Sequence, residues 1–223
     1  MRRFPRSIVA SAAVAAFLSL PAFGDEPPPA APPAPAPEAP PAPAPAERAP
    51  DTKESLAALV DVWKKAHAAK DEAALQKLAV PLVPTTADLK AILLEGAAAD
   101  EFLKKYPAKD LKADDPMVKS LAGALFKPTS PEQTGVAVHL ATTEEIVAYE
   151  RGSVAFAEFP GGMKRFAAIC RPKLRFYVVE LLEPGKDLGM KFTCFVNVDG
   201  RWVFIAKPWR AIPSDDRSPS DPK

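Results

Sequence analysis

The spacing of apolar residues changes period near Thr134, and this change decides the fold class. Before Thr134, apolar side chains recur at helical intervals in four segments, of which the third is predicted to run unbroken from Thr85 to Tyr106. Each segment begins at a capping residue: Asp51 with Glu54, Asp71, Thr85 with Asp88, and Asp115 with Pro116. After Thr134, apolar and polar residues alternate as in strands. The sequence therefore predicts an α+β domain whose N-terminal helices pack on an antiparallel sheet.

Two turns set the predicted strand register. Strands are expected over residues 136–140, 154–159, 165–170, 174–183, 188–198 and 201–207. Asp199-Gly200 is typical of a two-residue hairpin and pairs Val198 with Arg201. The longer turn at 184–189 connects two strands whose apolar side chains share a face of the sheet if Val178 lies opposite Cys194.

This register gives the sheet two apolar faces. The core face comprises Leu174, Phe176, Val178, Leu182, Met190, Phe192, Val196, Val203 and Ile205. The opposite face carries Tyr177, Val179, Phe195, Trp202 and Phe204. An apolar second face must be covered or used. A helix could cover it, or it could form a dimer interface or a ligand surface, in which case Tyr177, Phe195, Trp202 and Phe204 would bind the ligand.

Both ends of the chain differ from the predicted domain. Residues 1–24 have the pattern of a secretory signal peptide, with three Arg, an apolar stretch and a small-residue cleavage site. An uncleaved anchor is the alternative, but a 13-residue apolar helix spans about 20 Å of a bilayer core of about 30 Å. Residues 25–50 form a Pro/Ala-rich linker, expected to be disordered. We therefore predict one domain over 51–213, a disordered tail over 214–223, and export to the periplasm or the cell exterior.

Charge and motif content exclude several function classes. The formal net charge is +1, which gives no reason to expect nucleic-acid binding. Two His and two Cys leave little material for a metal cage. The sequence has no phosphate-binding Gly-rich loop, no HExxH, no paired CxxC and no Gly-x-Ser-x-Gly elbow. We therefore expect no metal and no cofactor.

Glu180 is the first candidate for chemistry. The predicted register surrounds its carboxylate with apolar side chains, among them Phe176 and Phe192. Burial raises the pKa of a carboxyl group unless a cation or a donor compensates, and such a group can act as a general acid or base. Lys207 lies two strands away in this register. A structural ion pair between Lys207 and Glu180, or simple exposure of Glu180 at the end of the sheet, is therefore the simpler interpretation.

His139 is the second candidate proton carrier. It shares a strand face with Ala137 and Ala141, whose small side chains leave room for a ligand, although a half-exposed strand histidine has the same pattern. His67, near the end of the first helix, is interpreted as a capping or surface residue.

Cys170 and Cys194 are predicted to be free thiols. A tight turn after Cys170 would put the two side chains on opposite faces of the sheet. A continuous bent strand would separate them by about 26 Å, whereas a disulfide needs Cα atoms within about 7 Å. Reducing agent should therefore leave the melting temperature unchanged.

The opening helix with Trp63, the break at Lys70-Asp71 and the late hairpin ending in Gly200-Arg201-Trp202 resemble the nuclear-transport-factor-two-like superfamily, including its SnoaL-like members. The segment from Glu183 to Arg210 also looks like the ending of uncharacterised exported bacterial proteins. The resemblance implies a cone-like curved sheet wrapped around helices. It implies no single activity, because the superfamily contains isomerases, hydratases and non-catalytic binding domains.

Three functional hypotheses follow from these observations. The first is an exported, non-catalytic binding module for a small apolar ligand or a cell-envelope protein. The second is a small cofactor-free enzyme of isomerase or hydratase type, with Glu180 or His139 as the proton carrier. The third is a self-associating homodimer that buries Trp202 and Phe204. Membrane contact is expected only if the signal segment stays uncleaved.

Overall fold

The computed structural model describes residues 48–106, 108 and 111–212. The predicted signal peptide, the linker up to residue 47 and the predicted tail lie outside the described residues. Within the described ranges, no helix is long and apolar enough to cross a membrane.

The predicted α+β class is confirmed. The elements follow in the order α1 (Lys53–Ala69), α2 (Glu72–Ala79), a 3-10 turn (Val80–Leu82), α3 (Thr86–Ile92), α4 (Ala97–Lys105), α5 (Pro116–Ala124), β1 (Gly135–Thr142), α6 (Thr143–Ala148), α7 (Val154–Glu158), α8 (Met163–Ala167), β2 (Arg175–Leu182), β3 (Met190–Val198), β4 (Arg201–Phe204) and a second 3-10 turn (Pro208–Ala211). The first helix begins one residue later than predicted, because Thr52 and not Asp51 caps it. The caps at Asp71 and Asp115 and the Thr85–Asp88 capping box are as predicted.

Two predictions of secondary structure are wrong. The segment from Thr85 to Tyr106 forms two helices, because Leu93 leaves the helix to form a β-bridge with Cys170 and Gly96 turns the chain at a φ of 145°. Of the segments predicted as strands, 154–159 contains the short helix α7, and 165–170 overlaps the end of the short helix α8. Apolar runs this short fit a helix or a strand equally well, so packing against the sheet decides their conformation.

The four strands form an antiparallel sheet in the order β1-β2-β3-β4. The hairpin prediction is confirmed, with Val198 opposite Arg201 and Val196 opposite Val203. Asp199 and Gly200 both have positive φ, as the tight hairpin turn requires.

Helices cover both faces of this sheet. Phe176, Val178, Val196, Val203 and Ile205 lie on the predicted core face, in a first core with apolar residues of α3, α4, α6, α7 and α8. The second core holds Tyr177, Val179, Leu181, Phe195 and Trp202 together with apolar residues of α1, α2 and α5. The apolar second face is therefore covered by helices, as the simplest of the three alternatives predicted.

The described chain begins before the predicted domain boundary at residue 51. The Ala49 N–H donates to the Gly200 carbonyl over 2.8 Å, and the Asn197 side-chain amide donates to the Ala49 carbonyl over 3.1 Å. The last residues of the predicted linker thus pack against the β3–β4 turn.

Candidate functional site

β1 and β2 bring the two candidate proton carriers onto one face of the sheet. Ala137 lies opposite Glu180, and His139 lies opposite Val178. Because side chains two residues apart on a strand share a face, His139 and Glu180 are diagonal neighbours. Both candidates chosen from the sequence therefore belong to one site.

A β-bulge adds a third side chain, which the predicted register had placed elsewhere. Tyr177 lies opposite Phe195, as predicted, but Val178 lies opposite Thr193 because Cys194 is an extra residue in β3, with a φ of 80°. Beyond the bulge every partner shifts by one position. Lys191, and not Phe192, is therefore opposite Glu180.

The bulge also changes the sheet face on which Phe192 lies and the cation that pairs with Glu180. Phe192 packs in the second core, its ring 5.1 Å from that of Phe126, and not on the predicted core face. The cation beside Glu180 is Lys191, so the predicted pairing with Lys207 is wrong. A one-residue shift moves every following side chain to the other face of a sheet, which accounts for both corrections.

α7 contributes the fourth member of the site. Ser153 caps this helix by accepting a hydrogen bond from the Phe156 N–H, and Glu158 is its last residue. α7 packs over β1 and so places the Glu158 carboxylate beside His139. The sequence prediction missed Glu158, although Ser153 was an available capping signal.

Four side chains, His139, Glu158, Glu180 and Lys191, make up what we call the polar cluster. His139 Nε2 lies 3.4 Å from Glu180 Oε2 and 3.6 Å from Glu158 Oε2. Lys191 Nζ donates to Glu158 Oε2 over 2.7 Å and lies 3.9 Å from Glu180 Oε2. The backbone N–H of Gly189 donates to the other oxygen of Glu180, Oε1, over 2.7 Å.

Charge in the polar cluster is only partly balanced. The Glu180 side chain is 4% exposed and that of Glu158 is 19% exposed, so both carboxylates are shielded from water. Lys191 supplies one positive charge against these two negative charges. His139 Nε2 is buried and has no hydrogen-bond partner among the described residues. The cluster can therefore accept a further cation or proton.

A cleft lies beside the polar cluster. It has a volume of about 550 Å³, and we call it the Trp209 cleft. Its lining includes Glu158, Phe159, Lys191, Phe192, Lys207 and Trp209. Glu158 and Lys191 line this cleft, whereas His139 and Glu180 are not among the described residues that line it.

A second cleft, of about 480 Å³, shares Phe204, Ala206 and Lys207 with the first. We call it the Tyr106 cleft, and its other lining residues include Val83, Met117, Leu121 and Arg210. Lys207 and Arg210 have no ion-pair partner within the part of the chain that the structure describes, whereas Lys105 pairs with Glu101 at 2.7 Å. The shared wall therefore combines apolar surface with the Lys207 cation, and Arg210 adds a second cation to the Tyr106 cleft alone.

The four predicted ligand-binding aromatic residues separate into two groups. Tyr177, Phe195 and Trp202 are buried in the second core. The Tyr177 hydroxyl donates to Asp51 Oδ1 over 2.9 Å, and Trp202 Nε1 donates to Ser55 Oγ over 3.2 Å. These three side chains contact protein. Phe204 is partly exposed and lines both clefts.

The remaining candidates lie away from the clefts. His67 Nε2 is 2.9 Å from the Leu125 carbonyl oxygen, which joins the end of α1 to the end of α5. Cys170 and Cys194 are both free and buried. They share the first core, so the alternative that placed them on opposite faces of the sheet is wrong, whereas both thiols are free, as predicted.

No protein-family model matches the sequence, and no curated protein or solved structure is significantly similar to it. The resemblance to the nuclear-transport-factor-two-like superfamily therefore stays a prediction from the residues quoted above. Function has to be argued from the clefts and the polar cluster themselves.

Proposed function

We propose that the protein is an exported, non-catalytic binding module that takes a small molecule with an apolar body and an anionic group. The observation that carries this proposal is the wall shared by the two clefts. Phe204 and Ala206 offer apolar contact on that wall, and the uncompensated cation of Lys207 lies beside them. Ligand sites combine mostly apolar walls with a few polar groups, in volumes of about 300–1,000 Å³.

Charge selects the kind of ligand. Lys207 borders both clefts and Arg210 borders the Tyr106 cleft. Among the described residues that line the two clefts, Glu158 has the one carboxylate, and it is already paired with Lys191. A carboxylate or sulfonate group on the ligand can therefore form charge-assisted hydrogen bonds with Lys207 or Arg210. The rings of Phe204 and Trp209 provide surface for the apolar part.

The enzyme hypothesis has one observation in its favour, the closeness of His139 and Glu180. A general acid or base must come within hydrogen-bond reach of the substrate. His139 Nε2 is buried, and neither His139 nor Glu180 is among the described residues that line the Trp209 cleft. This placement favours binding over catalysis.

The self-association hypothesis depended on an exposed pair of aromatic residues. Trp202 is only 4% exposed, because it lies under α1. Phe204 alone offers little area to a partner subunit. The geometry therefore supports the cleft proposal more strongly than a homodimer.

Displacement of a fluorescent apolar anion tests the proposal. The purified protein is titrated with anilinonaphthalene sulfonate, and dodecanoate, dodecanol and dodecyltrimethylammonium then compete for the bound dye. We expect dodecanoate to displace the dye at the lowest concentration, because the three competitors share a chain and differ in charge. Equal potency of all three would contradict an anion site.

Two variants and one control locate the binding. Ala206→Trp fills the wall common to both clefts and should abolish dye binding. Lys207→Met should weaken dodecanoate binding by about three- to tenfold, as expected for one partly exposed charge contact. Lys65→Met removes an exposed cation on α1 and should change nothing. Unchanged binding by Ala206→Trp would refute the proposed location.

A further inference from the structure

Three members of the polar cluster are of metal-ligating type. His139, Glu158 and Glu180 each offer one ligand atom, and these three atoms lie within 4.8 Å of one another. They come from β1, α7 and β2, which share the first core and so hold the three side chains from independent directions. One imidazole and two carboxylates form a ligand set that Zn²⁺ accepts.

The distances fit a metal better than they fit hydrogen bonds. His139 Nε2 lies 3.4 Å and 3.6 Å from the two carboxylate oxygens, whereas N–H···O hydrogen bonds have lengths of about 2.7–3.2 Å. Ligand atoms about 2.1 Å from a tetrahedral Zn²⁺ are roughly 3.3–3.5 Å apart. Two of the three pairs of ligand atoms are therefore spaced as around one small cation, and all three atoms lie within 4.8 Å of one another.

His139 provides an independent reason to expect a cation. Its Nε2 atom is buried and has no hydrogen-bond partner among the described residues. Nε2 and the two carboxylate oxygens that it faces are all atom types that ligate metal ions. A divalent cation placed between them would be attracted by both carboxylates.

Glu180 is already oriented for binding by its second oxygen. The Gly189 N–H holds Oε1 at 2.7 Å, and this contact leaves Oε2 directed toward His139. Backbone and side-chain donors that fix a ligating carboxylate in this way are typical of metal sites.

Lys191 is the competitor for this position. Its ammonium group donates to Glu158 Oε2 and lies 3.9 Å from Glu180 Oε2, so it neutralises the carboxylates without a metal. Its side chain is 29% exposed and lines the Trp209 cleft, where it has room to move. A divalent cation would replace one positive charge by two.

We propose that His139, Glu158 and Glu180 bind a divalent cation of the zinc class, in competition with the ammonium group of Lys191. This site adjoins the Trp209 cleft, because Glu158 and Lys191 also line that cleft, but the metal proposal does not depend on the binding of an apolar anion. The expectation of no metal rested on the count of His and Cys, and it overlooked carboxylates brought together by the fold.

Metal uptake by the full chain, produced without a His-tag, tests the inference. The protein is dialysed against Zn²⁺, bound metal is measured by elemental analysis, and Co²⁺ replaces Zn²⁺ for visible absorption spectroscopy. We expect one equivalent of metal and the intense absorption of four-coordinate Co²⁺. Uptake of less than a stoichiometric amount at saturating Zn²⁺ would overturn the proposal.

Four variants distinguish this site from adventitious binding. His139→Gln and Glu158→Gln should each weaken Zn²⁺ binding by at least about a hundredfold, because each removes a direct ligand. Lys191→Met should tighten binding at least about threefold, because it removes the competing cation. His67→Gln removes the other histidine and should leave binding unchanged.

The Lys191 result is decisive, because a purely structural ion cluster predicts the opposite. In such a cluster Lys191→Met destabilises the fold and creates no tighter metal site. Weaker or unchanged Zn²⁺ binding by Lys191→Met would overturn the proposal, as would unchanged binding by His139→Gln. Circular dichroism of each variant confirms that the compared proteins are folded.

Discussion

The ring of Trp209 lies directly against the backbone of Gly162. A Cβ atom added to Gly162 would come within 2.6 Å of Trp209 Cγ, closer than any side chain tolerates. Gly162 is the N-cap residue of α8, and Trp209 lies in the last 3-10 turn. This contact therefore fixes the C-terminal end of the described chain against the first core. Trp209 also forms a wall of the Trp209 cleft.

Gly162→Ala should therefore displace Trp209. We expect a loss of about 1–3 kcal/mol in the free energy of unfolding, as for other overpacking substitutions, and a shift in tryptophan fluorescence. Gly161→Ala is the matched control, because its Cβ would meet nothing closer than Tyr149 Oη at 3.7 Å. Urea denaturation measures both variants, and equal stability of the two would disprove the contact.

Asp88 joins a helix cap to a buried ion pair. Its carboxylate completes the capping box of α3 with Thr85 and also accepts a hydrogen bond from Arg201. Asp88→Ala removes the cap and leaves Arg201 without its carboxylate, which should cost about 2–4 kcal/mol. Asp71→Ala removes only an exposed cap and should cost about 0.5–1 kcal/mol. Similar losses in the two variants would show that the Arg201 contact contributes little.

The same carboxylate makes stability depend on pH. Burial alone would raise the pKa of Asp88, but the hydrogen bonds from Arg201 and Thr85 and the charge of Arg201 outweigh it and hold the pKa below 3.8. A lowered pKa in the folded state stabilises the protein above the unfolded pKa, and this contribution is lost as the pH falls below it. The stability difference between wild type and Asp88→Asn should therefore be constant above about pH 5 and shrink below about pH 4. If the stability difference between wild type and Asp88→Asn grew on acidification, the expected direction of the pH dependence would be wrong.

Local signals were enough to predict much of this fold. The caps at Asp71 and Asp115, the Thr85–Asp88 capping box and the Asp199-Gly200 hairpin each depend on residues within a few positions of one another. Such short-range interactions can be recognised in the sequence, and they predicted the starts of α2, α3 and α5 and the β3–β4 register correctly.

The polar cluster shows where local signals end. His139 and Glu180 were recognised because they are ionisable residues in apolar strands. Lys191 was missed because the bulge at Cys194 shifts β3 by one residue, and no turn motif in the sequence indicates that shift. Glu158 was missed because packing makes 154–158 a helix. Both missing residues depend on tertiary contacts, which one sequence does not reveal.

Cys170 and Cys194 should be chemically silent in the folded protein. Burial raises the pKa of both thiols, and the neighbouring Cys170 raises the pKa of Cys194 further. Because the thiolate is the reactive form, we expect no reaction with Ellman's reagent in buffer and two equivalents in guanidinium chloride. No reaction in denaturant without reductant would reveal a disulfide instead.

The contact between Arg48 and the β3–β4 turn can be measured with two glycines. Gly200 has a φ of 82°, and a Cβ there would lie 2.4 Å from Arg48 Cβ. Gly185 has a φ of 75° and nothing within 4 Å of an added Cβ. Gly185→Ala should therefore cost only the left-handed backbone strain, about 1–2 kcal/mol, whereas Gly200→Ala adds the clash with Arg48. Urea denaturation should show Gly200→Ala as the less stable variant, and truncating Arg48 to Gly should reduce that excess. Equal costs would mean that residues 48–50 do not pack on the turn, and the domain would then begin at residue 51, as the sequence predicted.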